Sequence, residues 1–422
     1  MTRHTPRPLS ALTALTALSA LTAQTVSAQS IAITGGKVYP VSGPPIESGT
    51  VLIQDGKIIA VGRDVTVPAG AIRIDASGRW VTPGLFHAST TLGLSMVGSV
   101  PNTNESSKTG DLNPSFNVAE GIDPQVVNIA VARMEGVTTA VSEPTGSLIP
   151  GQAVLIDLSG ARIEDLVAQS PVAMMLDLSE NSKGAGGGSR AGVLQRLRQT
   201  FQDALEYERR KADYRKRQIQ DLSAPAAELE ALLPVLHGTL PVYAIANRQS
   251  DIASALRLAR EFNLRLVILG GTEAWKIAAD LAQARVPVAV YPLSNIPSFD
   301  GLGARSDNAT LLAAAGVPVI LVEGETGGPR DLRFAAGYAV RNGLKWDDAL
   351  RAVTLTPATA FGVAQRYGSL EPGKVADVVV WSGDPFEFSS RAEHVIIEGR
   401  DIPLVSRMTE LLERYRHLPP SY

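Results

Sequence analysis

The chain has 422 residues, 45% of them hydrophobic and 19% charged, a balance that supplies a large core and excludes global disorder. Its formal net charge of −3 leaves no basic excess for a nucleic-acid surface. With no cysteine it has no disulfide, no thiolate nucleophile and no thiolate metal ligand.

Taken in order, the N-terminus reads as a secretory leader over residues 1–28. Arg3 and Arg7 give a basic start, residues 9–23 (LSALTALTALSALTA) are apolar but too short to span a bilayer, and Val26-Ser27-Ala28 offers small residues for cleavage after Ala28. The expectation is an exported protein, periplasmic or secreted, without a membrane span once the leader is removed. An uncleaved anchor is the alternative.

Residues 29–80 read as short strands and tight turns. SIAITGGKVYPV suggests two strands around Gly35-Gly36, and TVLIQDGKIIAVG a hairpin turning at Asp55-Gly56. GRWVT (78–82) then leads into PGLFHASTTLG (83–93). From about residue 81 to 364, strand-like runs alternate with amphipathic helices. GVTTAVSEP (136–144) is followed by further β-like segments. PVYAIAN (241–247) precedes the helix 251–262, RLVILGG (265–271) precedes a helix at 273–284, PVAVYPL (287–293) follows, and TLLAAAG (310–316) leads to PVILVEG (318–324). Repeated βα units of about 25 residues predict a parallel sheet closed into a (β/α)8 TIM-type barrel. Residues 193–219 predict a longer charged helix whose polar face meets solvent. GAGGGS (184–189) lacks the Lys-Ser/Thr of a phosphate loop and reads as a flexible loop or lid. At the far end, 376–384 and 393–405 resume the strand pattern, giving a composite β-sandwich of residues 29–80 plus 365–405. A helix and tail occupy 406–422.

The order of these pieces resembles the amidohydrolase superfamily, in its imidazolonepropionase-like branch. The matching segments are ITGGKVYPVSGPPIESGTVLIQDGKIIAVG, VTPGL (81–85), EGVTTAV (135–141), ANRQSDIASALRLAREFNLRLVILGGTEAW (246–275), RNGLKWDDALRAVTLTPATAFGV (341–363) and GSLEPGKVADVVVW (368–381). The resemblance implies metal-dependent hydrolysis of C–N bonds in cyclic or peptide-like amides. That chemistry activates water on one or two divalent ions. It takes imidazoles and carboxylates converging at the C-terminal ends of barrel strands.

Aligned on the resemblance, those ligands are missing. The first histidine pair falls on Ser89 and Thr91, with His87 where aspartate is usual. The next falls on Ile245, close to Asn247, and the following one on Gly270 or Gly271. The strand-eight aspartate falls near Gly324, between Glu323 and Glu325, and a bridging lysine would lie near Asp157. Ser89, Thr91, Ile245, Asn247, Gly270 and Gly271 are therefore expected to line the pocket, with His87, Glu323 and Glu325 as catalytic candidates. Of the 5 histidines, His4 goes with the leader, His394 sits in a predicted strand and His417 in the tail. His87 and His237 alone could enter the barrel, and His237 reads as an exposed loop residue. Activation of Ser89 by His87 finds no carboxylate placed by sequence to orient the ring.

Two functions follow. One is an exported homologue without the usual metal and without a cofactor: a non-catalytic barrel binding a small amide or cyclic amide. It would form homo-oligomers, or hetero-oligomers with an active paralogue. The other is a true hydrolase with a remodelled mononuclear site, in which His87 and Glu323 or Glu325 hold one divalent cation, zinc or another.

Overall fold

The computed structural model describes residues 30–97, 100–160, 162–216, 218, 220–293, 298–323 and 331–416. The leader and its cleavage point, His4, His417, Glu325 and most of 323–328 lie outside them. The first strands are β1 (Ser30–Val38), β2 (Ile46–Gln54), β3 (Lys57–Gly62), β4 (Ile72–Asp75) and β5 (Trp80–Pro83). The Asp55-Gly56 turn forms as its residues demand. Both have positive φ, 51° and 74°, and Gln54 pairs with Lys57 across it, the type I′ geometry. The two strands expected around Gly35-Gly36 are one strand, β1, broken only by register shifts at Gly36. Gly35 has φ 79°, and a Cβ on Gly36 would lie 2.7 Å from a Val81 methyl. That kink lets β1 pair in parallel with β4 before it and with β5 after it.

The barrel strands are β6 (Leu85–Thr90), β7 (Val137–Ser142), β8 (Gly151–Asp157), β9 (Val167–Asp177), β10 (Val242–Ala246), β11 (Leu266–Gly270), β12 (Val288–Val290) and β13 (Val319–Leu321). They form a nearly closed 8-stranded sheet in chain order. One strand departs from the parallel pattern: β8 runs antiparallel to both β7 and β9. Its connections explain why. Among the described residues, the links 143–150 and 158–166 hold no crossover helix beyond the single turn Ile163–Leu166, and a short link joins antiparallel neighbours more readily than parallel ones. Inside the barrel, Phe86, Ala88, Val141, Leu155, Met175, Tyr243, Leu269 and Ile320 form one apolar cluster, a packed core rather than a pore. Phe361 joins it, 6.3 Å from the Phe86 ring and 5.2 Å from Tyr243.

The chain then returns as β14 (Val378–Trp381), β15 (Ala392–Ile397) and β16 (Arg400–Asp401). Where the sequence suggests a sandwich, hydrogen bonding makes one 8-stranded sheet in the order β16-β15-β14-β5-β1-β2-β3, with β4 on β1. The two ends meet edge to edge because β5 pairs with β14, Val81 opposite Val380. Ile33, Val51, Ile58, Val81, Val378 and Ile396 then share one buried cluster. Trp381 locks this sheet to the barrel. Its Nε1 donates to Thr82 Oγ1 at 2.9 Å, and its ring lies over Gly136, where a Cβ would come within 2.3 Å of it.

The predicted helix 251–262 is Gln249–Phe262, and the C-terminal one is Arg407–Arg416. The helix expected over 193–219 begins earlier and splits, at Arg190–Arg209 and Lys211–Arg215. Ser189 starts it by accepting the Gly192 N–H at 3.1 Å, so GAGGGS is not an open loop. It closes the 3-10 turn Glu180–Gly186, passes through left-handed Gly187 and Gly188, and caps the helix. Among the described residues no helix is long and apolar enough to cross a membrane.

Candidate functional site at the barrel mouth

The chemistry-bearing end of such a barrel is where the parallel strands finish. Strand β6 brings His87 and Ser89 there, both buried. The β6–β7 register shifts between His87 and Thr90, and this irregularity turns Ser89 across the mouth. Its Oγ donates to Glu143 Oε1 at 2.7 Å and lies 3.3 Å from the Tyr291 hydroxyl. Glu143 follows β7 directly, and its N–H donates to Thr90 O at 2.9 Å. Tyr291 follows β12 in the same way.

His87 faces the other side. Its Nδ1 accepts the Ser89 N–H at 3.5 Å. Nε2 is 3.6 Å from Glu323 Oε2, just past β13. That oxygen is buried and has no hydrogen-bond partner among the described residues. Burial pushes the Glu323 carboxyl above its usual range, and contact with His87 pulls it back. Deeper in the barrel the Tyr243 hydroxyl is fully buried and also lacks a partner among the described residues. Burial, followed by the charge of Glu143, raises it well above an ordinary tyrosine.

The other sequence-predicted positions serve the frame. Thr91 lies beyond β6, where its carbonyl accepts the Leu94 N–H. Ile245 packs against the barrel-interior cluster. Asn247 Oδ1 accepts the Thr272 hydroxyl at 3.0 Å, stapling the loops after β10 and β11. Gly270 and Gly271 have φ of 94° and 54°. A Cβ on Gly270 would sit 2.3 Å from Asn247 Oδ1, and one on Gly271 would sit 2.5 Å from a Val288 methyl. His237 ends the helix Ala226–Leu236 and meets Glu208 at 3.2 Å, while His394 in β15 meets Asp401 at 2.8 Å; both are partly exposed. Asp157 is not at the mouth, because antiparallel β8 carries its end to the opposite face, beside Thr139 at the start of β7.

A divalent centre of the type expected from the resemblance takes about three or four good donors per ion. Here His87 and Glu323 face each other, Ser89 offers a hydroxyl held by Glu143, and Ile245, Gly270 and Gly271 offer no donor. Among the described residues no three His, Asp or Glu side chains converge as a metal-holding group. The donors among the described residues, which do not include Glu325, fall short of that set. Glu143, Tyr243 and Tyr291 escaped the sequence reading; the readable signal was a polar residue ending an apolar run, as in VTTAVSE and PVAVY.

The amidohydrolase family profile matches residues 321–402. Amidohydrolase tasK of Hapsidospora irregularis is 24% identical over 386 residues, 83% of this chain but 39% of that protein, so the chain spans about two-fifths of that relative's length. An imidazolonepropionase of Thermoplasma acidophilum is 40% identical over 58 residues, 14% of each chain. Among solved structures, an amidohydrolase from Thermotoga maritima MSB8 aligns with a TM-score of 0.82 and 29% identity, covering 89% of this chain and all of the other. Molinate hydrolase, at TM-score 0.57 and 20% identity over 89% of this chain and 95% of the other, shares the fold.

Proposed function

We propose that this chain, which belongs to the amidohydrolase superfamily, is a non-catalytic homologue within it. It would be a binding barrel for a small amide or cyclic amide, or the partner of an active paralogue. The observation that carries this reading is the replacement of donors by structure. Ser89 is turned onto Glu143, and Gly270 and Gly271 sit in backbone and space that a side chain would disrupt. The leader-like order of residues 1–28 supports export, and an intact mass beginning at Gln29 would test it.

The buried His87–Glu323 pair favours the second reading, a mononuclear hydrolase in which these two and Glu325 hold a cation. The two readings part in an assay of wild type, His87→Ala and the double variant Glu323→Gln/Glu325→Gln against amides, lactams and dipeptides, with and without chelator. The non-catalytic reading predicts no chelator-sensitive turnover in any of them. Turnover by wild type that disappears in folded variants would establish the hydrolase.

A further inference from the structure

The buried acids that the mouth does not use lie at the other end of the barrel, where it meets the composite sheet. Asp157 ends β8 and Asp377 precedes β14, and both are buried. Thr139 Oγ1 lies 3.3 Å from Asp157 Oδ1 and 3.1 Å from Asp377 Oδ2. The remaining oxygens are occupied. Asp157 Oδ2 accepts the Tyr367 hydroxyl at 2.7 Å, and Asp377 Oδ1 accepts the Glu398 N–H at 3.0 Å. A threonine hydroxyl carries one proton and can donate to one carboxylate only. The second carboxyl must itself donate to Thr139, or two like charges face each other across one hydroxyl away from water.

We propose that Asp157 and Asp377 hold one proton between them through Thr139, making the junction of barrel and composite sheet a proton-operated latch. What it fastens is specific. The Asp377 carbonyl accepts the Gly84 N–H at 2.9 Å, immediately before β6, and Gly399 N–H reaches Ala376 O at 3.0 Å. The pair thus ties the strands that carry His87, Ser89 and Glu143 to the C-terminal hairpin. Thr138, Tyr367, Glu398 and Arg366 face it directly. Arg366 Nη2 donates to the Tyr367 hydroxyl at 2.7 Å, and Glu398 adds negative charge. A cavity of about 290 Å³ that Glu164, Asp165 and Arg400 also line adjoins Asp157, which is itself 1% exposed. A space of about 10 Å³ beside Asp377 is the size of a single water.

Burial, then the charge of the partner acid, hold Asp157 well above the aspartate range. Burial raises Asp377 to about 6, against its hydrogen bonds from Glu398 and the threonines. Raised acids give stability that is complete below the unfolded value, about 4, and is lost as pH rises through the folded one. The stability that the raised pair contributes therefore falls from about pH 4 upward, and the proton ceases to be shared above about 6, where Asp377 ionises and Asp157, held higher, keeps it. One linked proton shifts the folding equilibrium by up to about tenfold per pH unit.

The proposal is independent of whether the mouth is catalytic. Its test is infrared spectroscopy and denaturant unfolding of the mature protein from pH 5 to about 9, compared with Asp157→Asn and Asp377→Asn. An asparagine can replace the protonated member, donating to Thr139 while still accepting on its other side. The wild type should show a protonated carboxylic-acid band that fades as pH rises, in step with lost stability. Either asparagine variant should lack one acid's share of that band and flatten the pH slope. Should those variants not fold, Thr139→Val removes the shared hydroxyl and should move the pH midpoint of the band. An identical band and slope in the asparagine variants, or an unmoved midpoint in the valine variant, would overturn the latch.

Discussion

Gly270 decides more about the mouth than any residue with a functional group. At φ 94° the backbone is where L side chains are strained, and Asn247 Oδ1 fills the place a Cβ would take. The position matched to a histidine ligand is therefore closed by the loop staple itself. Gly270→Ala should destabilise the protein by roughly 1–3 kcal/mol, from backbone strain plus displacement of Asn247. Urea unfolding measures it, and a change within about 0.5 kcal/mol of zero would show that the loop yields. Ser89 and His87 carry the same lesson. The sequence offers His87 as a catalytic candidate and Ser89 as a pocket candidate, but their contacts with Glu323, Glu143 and Tyr291 join different strands, and only the folded barrel brings them together.

Among elements, those set by local chemistry were legible. The Asp55-Gly56 hairpin, the helix at Gln249–Phe262 and the βα alternation from β10 to β13 follow from turn residues and apolar periodicity. The direction of β8 was not legible, because an apolar strand looks the same either way round and only its short links betray it. That reversal also puts Asp157, the position near which a bridging lysine would fall, at the base of the barrel beside Thr139. GAGGGS, which reads as a loop from its glycines, supplies permissive backbone for a 3-10 turn, and Ser189 then caps a 20-residue helix. Ser189→Ala should cost about 1 kcal/mol, visible as a lower unfolding midpoint with unchanged helix content. An unchanged midpoint would mean that tertiary packing alone starts this helix.

At the scale of the whole molecule, the chain ends are structurally one. Strand β5 takes hydrogen bonds from β1 on one side and β14 on the other. Truncation after Arg366 removes β14 and Asp377, and it uncovers Val81 and the Ile33, Val51 and Ile58 face. The expected product is insoluble, and a soluble, cooperatively folding product would contradict the shared sheet. This frame places the mouth residues, so the proposed loss of the metal centre rests on how several strands are built, not on one ligand. The direct measurement is equilibrium dialysis of the mature wild-type protein against zinc, read by elemental analysis beside His87→Ala. Well under one equivalent retained, and the same in both proteins, is the predicted result. One tightly held zinc in the wild type, released by His87→Ala while the fold persists, would contradict it.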